Sequence, residues 1–154
     1  MHQIILREVT KENWLQAIEL AVWPEQGEFV SSASIALAKC YIRPEGLPVV
    51  PYAIYADEQM VGFFTYTYQV DSTHYYWINS FLIDQAYQGQ GYGRAAFDLI
   101  LKLARQKFPK CQSIGLTVNP ANKNAQHIYQ SYGFQDTGDI YDDELVYRLI
   151  LLPL

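Results

Sequence analysis

The sequence predicts an α+β fold in a single domain. Three observations carry this. Residues 52 to 83 form β-prone runs separated only by short polar turns, the pattern of an antiparallel meander. From Gly91 the apolar residues change to helical spacing, with Phe97, Ile100, Leu101, Ala104 and Phe108 recurring at 3.6-residue intervals. The 154 residues contain no internal repeat, low-complexity tract or long linker that would divide the chain.

The elements follow in order. Residues 3 to 9 are β-prone and begin a strand; Thr10 then caps a helix carrying Trp14, Ile18, Ala21 and Val22 on one face, which Pro24 helps to end. Ser31 or Ser32 opens a second helix with Ile35, Ala38 and Ile42 on one side, closed by Arg43-Pro44-Glu45-Gly46. Strands at 52 to 56 and 60 to 70 are joined by Asp57-Glu58-Gln59, and Asp71-Ser72 turns into a third strand over 74 to 83. The helix over 91 to 108 stops before Pro109. A strand at 113 to 118 and a helix from Asn122 to Tyr132 follow, with Gly133 as a left-handed cap, and strands at 134 to 138 and 145 to 152 complete the chain. The order is β-αα-βββ-α-β-α-ββ, an α+β arrangement.

Composition narrows the function classes. Half of the residues are hydrophobic, enough for a chain of this size to bury roughly 70% of its unfolded surface without disulfides or structural metal. Eleven Lys and Arg against 16 Asp and Glu give a net charge of -5, which supplies no uniform positive field for nucleic acid. No apolar run approaches the ~18 residues of a membrane span, and the start, Met-His-Gln-Ile-Ile-Leu-Arg-Glu, lacks the pattern of a secretion signal. The expected setting is the cytoplasm, with no membrane partner. Cys40 and Cys111 stand far apart without a CxxC, and His2, His74 and His127 are scattered, so no metal site is expected.

The chemistry concentrates in Gln88-Gly89-Gln90-Gly91-Tyr92-Gly93-Arg94, between a predicted strand end and a long helix. Glycines here let successive backbone N–H groups approach an anion at the positive helix end. A P-loop requires a lysine and then Ser or Thr after its last glycine, whereas Arg94 follows Gly93. The dinucleotide fingerprint requires glycine at position 94 and a βαβ context, and neither holds. The remaining Q-x-x-G-x-G pattern resembles the acetyl-CoA pyrophosphate loop of the GNAT superfamily of N-acetyltransferases. A second motif of that superfamily, N-x-x-A-x-x-(L/I)-Y-x-x-x-G-F, is matched by Asn122-Lys-Asn-Ala125-Gln-His-Ile128-Tyr129-Gln-Ser-Tyr-Gly133-Phe134.

The resemblance implies a three-layer α/β domain with a mixed, mostly antiparallel central sheet and helices on both faces. It implies acetyl-CoA as cosubstrate, lodged between splayed strands at 77 to 83 and 113 to 118. Backbone groups of Phe81, Leu82 and Ile83 then pair with the pantetheine arm, and Gln88, Gly89, Gln90, Gly91, Tyr92, Gly93 and Arg94 meet the phosphates and nucleotide end. Asn122 both caps its helix and reaches the cofactor. Tyr129 lies near the sulfur as general acid, its phenol near pKa ~10 facing a thiol near ~8.5. A backbone N–H near Leu82 faces the developing oxyanion.

The acceptor implied is a primary amine, whose ammonium titrates near ~10.4, so roughly one molecule in a thousand is reactive at neutral pH and a proton must be removed. Many relatives carry a carboxylate on the strand before the phosphate loop. Here that stretch is Trp77-Ile78-Asn79-Ser80-Phe81, which offers no such base, and a water relay or a carboxylate from elsewhere is expected. Glu25 and Glu28, beside Trp23 and Phe29, and Glu144 with Asp142 and Asp143 are expected to hold a cationic acceptor. The stretches Arg-x-Val-Thr-x-Glu-Asn, Gln26-x-x-Phe29-Val30 and Tyr-Gln-Gly-x-Gly-Tyr-Gly resemble bacterial spermine/spermidine acetyltransferases, which points to a polyamine. A peptide, amino-acid or aminoglycoside amine, or a CoA-binding sensor without turnover, are the other readings. A homodimer through the apolar strand Val146 to Leu152 is also expected.

Overall fold

A computed structural model describes residues 2 to 151. The strands are β1 (Ile4–Glu8), β2 (Val49–Ala56), β3 (Gln59–Tyr68), β4 (Tyr76–Ile83), β5 (Ser113–Val118), β6 (Gln135–Tyr141) and β7 (Glu144–Ile150). The helices are α1 (Trp14–Glu19), α2 (Ala33–Ile42), α3 (Tyr92–Lys107) and α4 (Lys123–Ser131), with 3₁₀ turns at Pro24–Gln26 and Gln85–Tyr87. All the strands join one sheet in the order β1-β2-β3-β4-β5-β7-β6, in which only β4 and β5 run parallel. No helix among the described residues is long and apolar enough to cross a membrane.

Alternation along β2 separates two cores. Tyr52, Ile54 and Ala56 face α3 and α4, where Phe64, Tyr76, Phe97, Ile100 and Phe134 are packed; Ala53 and Tyr55 face α1 and α2 with Phe63, Met60 and Leu82. The sheet is thus covered on both sides. On α3 the buried Phe97, Ile100 and Ala104, with half-buried Leu101 and Phe108, form the predicted stripe.

The first two helices depart from their predicted faces. α1 is only six residues long, because Asn13 ties back to the Thr10 N–H through its side chain at 2.8 Å and Leu20 is already extended. Trp14 and Ile18 remain 45% and 37% exposed, while Ala17 and Leu20 are buried. In α2, capped by the Ser32 side chain, Ile35, Ala38 and Ile42 point outward and Ala33 and Ala36 inward. The small residues let both helices lie close to the sheet, so a stripe drawn through the larger apolar side chains selects the wrong face.

The final hairpin is also tighter than predicted. β6 continues to Tyr141, and Asp142 and Asp143, at φ 51 and 63, make a two-residue turn of type I′ before β7 begins at Glu144. β7 pairs with β5 on one side and β6 on the other, so both of its edges are used within the chain. Over the described length that strand thus has no free edge within this chain, and position 152, its predicted end, lies outside the described residues.

Candidate active site

The site originates in an incomplete strand pair. β4 and β5 share only two registered pairs, Trp77 with Gly115 and Ile78 with Leu116. Beyond them the strands diverge, leaving a V whose walls are Asn79–Ile83 and Thr117–Val118. Gly115 is required at its apex: a Cβ there would stand 2.9 Å from Trp77 Cε3 and Cζ3. Ser80 sits in the wall with φ 54, a left-handed conformation at the shift in register between β3 and β4.

One cleft, about 420 Å³, runs from the V to the start of α3. Phe81, Leu82 and Ile83 line it with Gln88, Gly89, Gly91, Tyr92, Gly93, Asn122 and Tyr129. Gly89 and Gly91 take φ +77 and +85, and no atom lies within 4 Å of where a Cβ would be, so the loop presents bare backbone to an open cradle. Gly91 caps α3 without a side-chain hydrogen bond, and the first-turn amides at 92 to 94 are those a helix leaves without internal partners.

The expected cofactor residues divide by position. The Gln88 side chain donates to Gln26 Oε1 at 3.0 Å and to the Ile83 carbonyl at 2.9 Å, and accepts from Gln26 Nε2 at 3.1 Å. It therefore fastens the loop to β4 and to the segment after α1. Tyr92 is buried, with its ring 5.8 Å from that of His2. Arg94 is exposed, its guanidinium 5.9 Å from the Tyr132 ring, and neither it nor Gln90 lines the cleft. The Asn122 side chain accepts from the Ala125 N–H at 3.2 Å and also lines the cleft, so capping leaves it available there.

A second cavity, about 440 Å³, opens on the other side of Tyr129. Phe29, Val30, Phe81, Thr117 and Tyr129 belong to both walls, which makes Tyr129 a boundary between the two spaces. Burial pushes its phenol up to about 12, with the nearby Glu144 charge adding to the shift. The second cavity is lined by Glu28, Asp142, Asp143 and Glu144 against Lys39. It continues into a slot of about 170 Å³ through Lys39, Asn79, Ser80, Thr117 and Tyr141, which reaches Glu45, Tyr75 and Trp77. Glu25 and Trp23 are exposed and line neither space, whereas Phe29 reaches in.

Glu144 is held by a residue that sequence reasoning did not single out. Thr117 Oγ1 donates to Glu144 Oε1 at 3.0 Å across the β5–β7 pair. Burial raises the Glu144 carboxyl above its ordinary range; the Thr117 hydrogen bond opposes this and Asp142 adds to it. Asp84 was also missed: its carboxylate accepts from the Ala21 and Ala86 N–H groups at 3.0 and 2.9 Å, tying the segment after α1 to the entrance of the glycine loop. Asp before a short turn is a local capping signal, but Thr117 carries none.

A glycine cradle at a helix start, a parted strand pair and a phenol between two cavities is an arrangement suited to acyl transfer from a nucleotide thioester. The pattern of the Acetyltransferase (GNAT) family matches residues 10–134. The chain belongs to the GNAT acetyltransferase family. As a GNAT enzyme it is similar to the spermine/spermidine N(1)-acetyltransferase of Bacillus subtilis (strain 168), 29% identical over 146 residues, covering 89% of this chain and 91% of that one. The GNAT fold is shared with the crystal structure of spermidine N-acetyltransferase from Vibrio cholerae in complex with CoA and spermine, at TM-score 0.73 and 15% identity, covering 97% of this chain and 95% of the other. It is shared too with the aminoglycoside acetyltransferase AAC(6')-Ib in complex with coenzyme A, at TM-score 0.76 and 17% identity, covering 96% and 95%.

Proposed function

We propose that this GNAT acetyltransferase moves the acetyl group of acetyl-CoA to a primary amine of a polyamine such as spermidine or spermine. The observation that carries the reading is the charge of the cavity beyond Tyr129: four carboxylates against one ammonium, extended toward Glu45 and the aromatic faces of Tyr75, Trp77 and Tyr141. An elongated polycation matches both that shape and that sign. The curated relative at 29% identity supports the same acceptor class.

Bound acetyl-CoA supplies an activated acetyl thioester. The backbone of Phe81 to Ile83 presents its free edge to the pantetheine arm, since β5 pairing ends at Leu116. The amides at the start of α3, beside the bare glycines, hold the diphosphate. Tyr129 keeps its proton throughout the working pH range, with a phenol at about 12. Full transfer of that proton to a thiolate of pKa ~8.5 is uphill by about 5 kcal/mol, so the phenol acts chiefly as a hydrogen-bond donor to the departing sulfur.

Lys39, which lines both the second cavity and its slot, favours a second reading. Its ammonium is suited to an acceptor bearing a carboxylate, as in an amino-acid or peptide α-amine. Mass spectrometry after incubation with acetyl-CoA and mixed polyamines, amino acids, peptides and aminoglycosides separates the two. Acetylated spermidine or spermine as the dominant product is expected, and a product confined to carboxylate-bearing amines would replace the first reading with the second.

A further inference from the structure

β4 carries no carboxylate, and no histidine lines either cavity among the described residues. The proton must leave by another route. Of the carboxylates around the acceptor cavity, Glu28, Asp142 and Asp143 are exposed, while Glu144 is half-buried, fixed by Thr117 Oγ1 at 3.0 Å and near Tyr129. Thr117 belongs to the wall of the V itself, so the strand facing the thioester orients the Glu144 side chain from the neighbouring strand.

We propose that the Glu144 carboxylate is the general base that takes the proton from the attacking amine. This rests on the amine-acetylation reading above. The amine first releases its ammonium proton to solvent, and as the nitrogen lone pair then forms its bond to the thioester carbonyl carbon, the nitrogen becomes acidic, so a carboxylate is basic enough to accept its second proton. The C–S bond then breaks with its electron pair remaining on sulfur, beside the Tyr129 phenol. The sulfur, steadied by the hydrogen bond from the phenol, is protonated from solvent, and Glu144 returns the amine proton to solvent through the open cavity. The products are the amide and the free thiol.

The groups facing Glu144 support a proton acceptor at this position. Lys39 approaches from α2, Glu28 from the segment before α2, Tyr129 from α4, and Tyr141, Asp142 and Asp143 from its own hairpin. Burial and Asp142 raise its carboxyl, which increases basicity, while the Thr117 hydrogen bond keeps the ionised form accessible. The type I′ turn matters too, because it is short and fixes Glu144 opposite Tyr141 at the mouth.

The test compares wild type, Glu144→Gln and Glu144→Asp on spermidine and on trifluoroethylamine, a weakly basic amine that is unprotonated at neutral pH. With spermidine, Glu144→Gln is expected to lower kcat by about a hundred- to a thousandfold, with Glu144→Asp intermediate and CoA affinity unchanged. With trifluoroethylamine, which presents no ammonium for a carboxylate to hold, the same variant should lose kcat to a similar degree, because its nitrogen still has to shed a proton once the C–N bond forms. An independent readout is the carboxyl titration of Glu144 by carbon-13 NMR in the intact protein, which should coincide with the acid limb of the wild-type kcat profile. A loss confined to spermidine, a rise in KM alone, or a titration away from that limb would overturn the assignment while leaving acetylation intact. A wild-type protein that releases no CoA with any amine would instead overturn the amine reading, and the base with it.

Discussion

Replacing Tyr129 with phenylalanine removes one hydroxyl and little else. The ring packs 5.5 Å from Phe97 and 6.0 Å from Phe134, centroid to centroid, and those contacts survive the change. What is lost is a donor at the boundary between the two cavities, and its value depends on how far the proton moves. With the phenol at about 12, transfer is partial, and the loss is that of one hydrogen bond to a developing anion, about 1.5–3 kcal/mol. At 1.36 kcal/mol per tenfold, kcat is expected to fall by roughly ten- to 150-fold. Thiol release under saturating acetyl-CoA and amine measures kcat, and calorimetric titration with CoA measures affinity, which should stay within a few-fold. A kcat within twofold of wild type would remove Tyr129 from the chemistry; a tenfold loss of CoA affinity would make it a binding residue instead.

Two further outcomes follow from packing and burial. Gly115→Ala places a Cβ 2.9 Å from the Trp77 ring, an overpacking cost of about 1–3 kcal/mol, and should lower Tm by roughly 2–12 °C in a melting experiment; combination with Trp77→Phe should recover part of that loss, and an unchanged Tm would show that the apex is looser than described. Burial raises the phenols of Tyr66, Tyr76 and Tyr129, so the folded chain retains protons that the unfolded chain releases above pH ~10, and this contribution, fully present below pH ~10, is lost as pH climbs through the folded values. Urea midpoints should therefore fall between pH 9 and 11, less steeply in Tyr129→Phe, whose share is up to about 3 kcal/mol.

The parts of this molecule legible from sequence are those whose local signal and tertiary role coincide. α3 buries the stripe that its spacing announces, β5 begins and ends where predicted, and Gly133 takes φ +97. The glycine loop before α3 was legible because its backbone requires glycine, Gly89 and Gly91 taking φ +77 and +85. Where packing decides, the signal fails: α1 and α2 dock through Ala17, Ala33 and Ala36, and periodicity weighted by large apolar residues gives them little weight. Glu144 was singled out as an acidic group and does line the second cavity, but its tie to Thr117 joins residues 27 positions apart on neighbouring strands, which no local pattern encodes. Gln88 had the opposite fate. Its place in the motif suggests a ligand, while its amide is occupied by Gln26, 62 positions away.

The apex at Gly115 and Leu116 has a mechanical consequence. Only two rungs fasten the β1–β4 half of the sheet to the β5–β7–β6 half. On the proposed placement of the coenzyme, a thioester arm laid along β4 would act as a removable splint across that seam, and amide protons on its two banks should exchange more slowly when coenzyme is present. At a hundredfold excess over Kd, the same linkage adds about 2.7 kcal/mol to resistance against unfolding. The enzyme would then be sturdiest while loaded and most pliant just after product leaves, when exchange of spent for fresh coenzyme requires the seam to give.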